Sequence, residues 1–305
     1  MLHDDAQPRR VGQACQQHEV ALAQAQGLAA RDACEALTED GTLPADAVAV
    51  NVDLLHELVR EFRSKGASDL VICSTAVMRT AKNRAEFQHA VRDIIGVELK
   101  ILSGTQEAAL TYAGAVSSME LLPHERVNVI DLGGGSTEVI SGQGNVPGQS
   151  VSLEVGAVML TKRYFTQGTI PSLDEIQHLR NEVRKIQGDL FSPGVHDGVP
   201  WVLVGGTPVT LSMLKHGLTR YQPEKISGTS LSAHDIDEMI DRFSGKHPEE
   251  LQALPAMPPG RGKFILAGTL LLRELFDVLQ IDFGTVTERG LRHGLWLAHF
   301  GRQEV

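Results

Sequence analysis

The run Asp131-Leu132-Gly133-Gly134-Gly135-Ser136-Thr137-Glu138 places three glycines and two hydroxyls between two acids. Glycines let backbone N–H groups approach a phosphate without Cβ interference, and Ser136 and Thr137 add hydroxyl donors. Asp131 and Glu138 stand at the two feet of the turn. Their carboxylates can point toward one hard cation, directly or through its waters, as Mg2+ is commonly held beside phosphates. A strand, not a helix, follows this turn, so it is not a dinucleotide-binding fingerprint, and the chain has no Gly-Lys-Ser/Thr of a Walker loop. A second turn, Gly205-Gly206-Thr207, leads from strand to helix. It would put a phosphate or nucleotide at a helix N-terminus, and a tight structural turn accounts for it equally well.

Other polar groups carry less. Arg79-Thr80-Ala81-Lys82-Asn83-Arg84 and Lys162-Arg163 are local basic clusters that read either as anion contacts or as solvated helix faces. His234-Asp235 has the form of a metal dyad, but Ser232 precedes Asp235 by three residues, which reads as a capping box and a helix start. The twelve histidines show no His-x-x-x-His spacing with a glutamate, so zinc catalysis is not expected.

The elements that must position these groups follow from periodicity. Leu54, Leu55, Leu58, Val59 and Phe62 are spaced for a helix over 53–63, and 70–73 reads as a buried strand. A helix from about Lys82 carries Phe87, Val91, Ile94 and Ile95 on one side and ends at Gly96, a residue suited to the left-handed C-terminal position. A strand over 97–102 and a helix over 105–115 complete a strand-helix-strand-helix pattern, which is α/β. Beyond Pro123, strands over 127–132 and 138–140 flank the Gly-rich turn as a hairpin, and a third strand lies near 150–153. Helices over 172–187 and 232–243 each open on a serine with an acid three residues on, Glu175 and Asp235. A strand over 201–204 runs into Gly205, followed by helices over 209–215, 264–279 and the final stretch after Thr287-Glu288-Arg289-Gly290.

At 305 residues the chain is longer than one core usually grows, so two domains are expected. The apolar fraction of 42% suits a globular fold, and the longest apolar runs fall short of the ~20 residues that cross a bilayer. No apolar signal core opens the chain, so a cytoplasmic location is expected, with no membrane partner. A net charge of −10 argues against binding duplex nucleic acid through a broad basic face. Cys15, Cys34 and Cys73 have neither the count nor the spacing of a disulfide frame or zinc site and read as buried or idle thiols.

Taken in order, these motifs resemble the exopolyphosphatase/guanosine pentaphosphate phosphatase family, within the actin-like ATPase superfamily, over about 27–295. Residues 74–83 look like its basic phosphate-contacting segment, and 101–108 like the segment holding its catalytic glutamate. The hairpin, 153–158 with Gly156, 204–207, and Thr287-Glu288-Arg289-Gly290-Leu291-Arg292 match further motifs. The resemblance implies two actin-like (ribonuclease H-like) α/β domains with a cleft between them. The first, 27–123, would be completed by 289–305, and the second, 124–288, would carry the hairpin. It implies Mg2+-dependent release of terminal orthophosphate from inorganic polyphosphate or guanosine pentaphosphate. Glu107 would be the base, Arg79 the phosphate clamp, Asp131 and Glu138 the metal ligands. Gly133, Gly134, Gly135, Ser136, Thr137, Gly156, Gly205, Gly206 and Thr207 would line the phosphate path. Without the resemblance, Glu107 reads as a solvated acid on a helix face.

The chain departs from the family pattern at its start, where 1–26 is an unmatched Ala/Gln-rich segment with no Asp-x-Gly-type hairpin. The first domain is therefore expected to be N-terminally truncated, with an open sheet edge that allows a homodimer. Gln106 and Ala109 stand where relatives often carry an acid and an arginine. Against the enzyme stand two other readings, a silent polyphosphate or alarmone sensor and an actin-like kinase.

Overall fold

The computed structural model describes residues 35–38, 40–185 and 198–301. By contact density they divide into two units. The first comprises the described residues up to Ser74 with Ala81–Lys100, and the second Thr75–Thr80 with those from Ile101 onward. The unmatched segment 1–26, with Cys15, lies outside the described residues, as does Cys34.

In the first unit, helix α1 (Ala45–Ser64) follows Pro44, whose fixed φ of −58° suits the entry to a helix. It starts well before the expected 53, because the Ala/Val-rich stretch ahead of Asn51 continues the helix without a strong apolar stripe. Strand β1 (Ile72–Ser74) leads to the short helix α2 (Ala76–Thr80), which belongs to the second unit. Helix α3 (Arg84–Ile95) buries Phe87, Val91 and Ile95 and stops at Gly96, whose φ of 75° is left-handed as the sequence suggested. Strand β2 (Leu99–Ile101) pairs with β1. Asn83, inside the basic segment, has a structural duty: its amide accepts from Leu43 N and donates to Leu43 O, both at 2.9 Å.

The second unit begins with α2 and α4 (Gly104–Val116) and is built on a six-stranded sheet. Strands β3 (Arg126–Leu132), β4 (Thr137–Gln143) and β5 (Val146–Leu153) form an antiparallel meander. On the other side of β3 lies β6 (Trp201–Val204), reached through helices α5 (Ala157–Tyr164) and α6 (Leu173–Lys185). Beyond it come α7 (Gly206–Lys215), α8 (Pro223–Ile226), β7 (Ser230–Ser232), α9 (Ala233–Phe243), α10 (Pro248–Gln252), α11 (Ile265–Val278), β8 (Phe283–Val286) and α12 (Leu291–Phe300). The sheet order is β5-β4-β3-β6-β8-β7, with β3, β6 and β8 parallel and β7 antiparallel at the edge. The architecture is the α/β one expected. In such sheets ligands gather where the carboxyl ends of parallel strands meet, here Leu132, Val204 and Val286.

Both faces of the sheet are covered. Ala108, Tyr112, Ala115 and Val116 of α4 pack on Val127, Val129, Ile140, Val202 and Val204. Helix α11 is apolar around most of its circumference and contacts α5, α6, α7 and α9. Its one fully buried charge, Glu274, is met by Arg180 at 2.8 Å and Arg184 at 2.5 Å, both on α6. Helix α12 lies against α4 at van der Waals range. A Cβ at Gly114 would strike the Gly290 carbonyl, and one at Gly294 would strike that of Leu110. Sequence grouped α4 with the first domain; its packing on the meander and α12 places it by contact in the second unit. The capping boxes at Ser172 and Ser232 form as expected, so Asp235 is a helix cap bonded to Ser232 and Lys215. Helix α5 and strand β7 were not expected, being short elements without a full period of apolar positions.

Candidate active site

Every candidate side chain lies in the second unit. Asp131 and Glu138 are register partners near the closed end of the β3–β4 ladder, which finishes at the Leu132–Thr137 pair. Gly133 N–H then donates to Ser136 O at 3.0 Å and closes the turn, which keeps the amides of Gly134 and Gly135 outside the ladder. The carbonyls of this turn cap the next helix: Gly133 O accepts from Ala157 N, and Gly134 O from Val158 N and Met159 N. Gly156 makes that junction possible, since a Cβ there would stand 2.5 Å from the Gly134 carbonyl. Gly156 thus seats the hairpin on α5.

Helix α4 delivers the third acid. Ser103 and Gln106 form its capping box, so Gln106, where an acid was noted as usual, serves as a neutral cap partner. One residue later, Glu107 points inward and is only 6% exposed, which overturns the reading of it as a solvated acid. Arg79, in the last turn of α2, reaches it: Nη1 stands 2.5 Å from Glu107 Oε2 and donates to Leu102 O at 3.1 Å.

The electrostatics bind the three acids into one group. Burial pushes Asp131 up to about 6, with the Glu107 charge adding to the effect and the Thr111 hydroxyl opposing it. Burial pushes Glu138 up to about 8, reinforced by Glu107 and then Asp131, while Ser152 and Ser136 oppose it. Such mutual repulsion is what a divalent cation relieves. The donor set is all hard oxygen and fits Mg2+, which keeps several waters and binds through one or two carboxylates plus phosphate oxygens. Among the described residues no group of three or more His, Cys, Asp or Glu side chains stands ready to enclose a metal by itself. Asp131 and Glu138 would hold the ion, with solvent and substrate oxygens completing its shell.

Not every expected phosphate contact keeps its side chain available. Thr137 is fully buried and donates to Val155 O at 2.7 Å. The buried Ser136 hydroxyl is turned toward the Glu138 carboxyl, whose raised pKa it opposes. Gly205 adopts φ +105°, a left-handed value, and packs on the Leu132 carbonyl, so it joins the ends of β3 and β6. Gly206 opens α7 with the Arg261 guanidinium directly against it, a cation that sequence reading did not single out. Thr207 is fully buried with its hydroxyl against Gly268 of α11, so its contribution to any anion is its backbone amide at the helix start. Sequence reading also passed over Thr111 and Ser152. Thr111 donates to Asp131 Oδ2 at 3.1 Å, and Ser152 to Glu138 Oε1 at 2.8 Å.

A family model described as the Ppx/GppA phosphatase family matches residues 33–302. A Mycobacterium tuberculosis protein named exopolyphosphatase 2 is 30% identical over 271 residues, 86% of this chain and 84% of that one. A Vibrio cholerae guanosine-5'-triphosphate,3'-diphosphate pyrophosphatase is 27% identical over 260 residues, 85% of this chain but 50% of its own length. The crystal structure of an Aquifex aeolicus Ppx/GppA family member superposes with a TM-score of 0.73 at 27% identity, covering 88% of this chain and 85% of that one.

Proposed function

Because this chain belongs to the Ppx/GppA phosphatase family, we propose that it hydrolyses terminal phosphoanhydrides, releasing orthophosphate from inorganic polyphosphate, with guanosine pentaphosphate as the second substrate to test. Polyphosphate comes first because the relative matched over most of its own length carries the exopolyphosphatase name. The observation that carries the proposal is the convergence of Glu107, Asp131 and Glu138 beside Arg79 at the hairpin. No helix among the described residues is long and apolar enough to cross a membrane, and a cytoplasmic location is part of the proposal.

Hydrolysis of a terminal phosphoryl group needs an oriented water and positive charge on the non-bridging oxygens. Mg2+ bound by Asp131 and Glu138 would supply charge neutralisation at those oxygens. Glu107 accepts a proton from the water whose oxygen attacks the terminal phosphorus. The bridging P–O bond breaks, and the shortened chain leaves with the bond's electron pair. Arg79 places a planar guanidinium beside the reacting group. The amides of Gly134, Gly135 and the start of α7 would serve the phosphate as fixed donors.

Purified protein incubated with polyphosphate, and separately with guanosine pentaphosphate, should release orthophosphate only when Mg2+ is present. Binding measured by calorimetry with no release over long incubation would instead make the chain a sensor. Phosphate transfer from ATP to an acceptor would make it a kinase.

A further inference from the structure

The two hairpin acids are each held by a hydroxyl from a different element. Thr111 of α4 donates to Oδ2 of Asp131, and Ser152 of β5 donates to Oε1 of Glu138. A hydroxyl seated on one carboxylate oxygen fixes the orientation of the group and takes up one of that oxygen's two lone pairs, which biases the group toward offering its other oxygen to a cation. Both donors are well placed to hold that geometry. Thr111 is fully buried and stiff at χ1, and Ser152 lies on a paired strand with its Cβ 3.2 Å from where a Cβ at Gly104 would stand.

We infer that Thr111 and Ser152 set the ion preference of the site, by making each acid present a single oxygen to the cation. Single-oxygen ligation suits the small octahedral Mg2+, whereas Ca2+ takes six to eight ligands and readily chelates both oxygens of a carboxylate. The pair of hydroxyls thereby favours Mg2+ and disfavours Ca2+. The inference rests on Asp131 and Glu138 being the metal pair, and goes further by assigning selectivity to the two residues that bond those acids. They are positioning residues.

The test needs no turnover. MgCl2 and CaCl2 are titrated separately into substrate-free protein, with binding read by calorimetry and by the shift in melting temperature. The proteins compared are wild type, Thr111→Val, Ser152→Ala and Ser152→Thr, with Asp131→Asn as the reference. Wild type should favour Mg2+. Thr111→Val and Ser152→Ala should each move the ratio of the two dissociation constants toward Ca2+ by about tenfold, the scale of other outer-shell changes. Ser152→Thr, which keeps the hydroxyl, should keep the wild-type ratio. Ser152 is exposed, so its alanine variant retains a foldable chain should Thr111→Val not. An unchanged ratio in variants that bind both ions overturns the inference and leaves the metal pair standing, as does a wild type that favours Ca2+. No response of wild type to either ion, or an undiminished response in Asp131→Asn, overturns the metal pair and the inference with it.

Discussion

Asp131 and Glu138 face one another as register partners across the β3–β4 ladder, and both carboxyls keep their protons to higher pH than free carboxylates do. The ordinary values are 3.8 and 4.5, and the folded ones about 6 and about 8. From about pH 4 to 8 the folded chain therefore binds more protons than the unfolded one at these two groups, and their contribution to stability falls as pH rises through that window. A cation on the pair must displace those protons. Melting curves with and without Mg2+ across this range should show Mg2+ stabilisation growing with pH. A Mg2+ shift of constant size would remove this pair from cation binding.

Glu107→Gln keeps the shape of the side chain and removes the proposed proton acceptor. Orthophosphate release should drop by ~10²–10⁴ with KM little changed. Equal kcat for the two proteins would take Glu107 out of the chemistry.

Gly156→Ala tests the seat of the hairpin on α5. The added methyl would stand 2.5 Å from the Gly134 carbonyl, so the turn or the helix must shift, at a cost of about 1–3 kcal/mol. Urea denaturation should show a lowered midpoint together with reduced activity. A variant with unchanged midpoint and rate would mean the junction is loose.

The buried Glu274 gives an asymmetric pair of variants. Replacing Arg180 and Arg184 together by methionine strands a carboxylate with 0% exposure, which should cost about 3–5 kcal/mol. Glu274→Met releases two arginines that already reach solvent and should cost far less. Chemical denaturation of both variants measures the difference, and equal losses would contradict this account.

The hairpin was legible in sequence because its signals are local: β-branched strands, three glycines, and acids at both feet. Helix ends marked by Gly96, Ser172 and Ser232 were legible for the same reason. Glu107 was legible only through the family resemblance, since the pattern of α4 alone cannot say that its first turn is covered by Arg79 and lies near Asp131. Thr111, Ser152 and Arg261 act on partners in other elements, and nothing within a few residues of each announces the contact. Conversely, Thr137 and Thr207 sit in motifs that suggest hydroxyl donors, yet tertiary packing turns both hydroxyls inward. Local pattern identified which segments matter, and only the fold decided which atoms face the site.

The glycine contact between α4 and α12 bears on how the chain matures. Leu110 and Gly294 touch backbone to backbone, although a ribosome releases them far apart in time. The hairpin can pair as soon as β4 has emerged and α4, which carries Glu107, can dock on the meander, but the side of α4 that meets α12 is covered only when the last helix arrives. The turn proposed to hold the ion can therefore close before the packing around the helix of Glu107 is complete. A nascent chain halted before α12 would own the Gly-rich turn while one side of the Glu107 helix still lay uncovered.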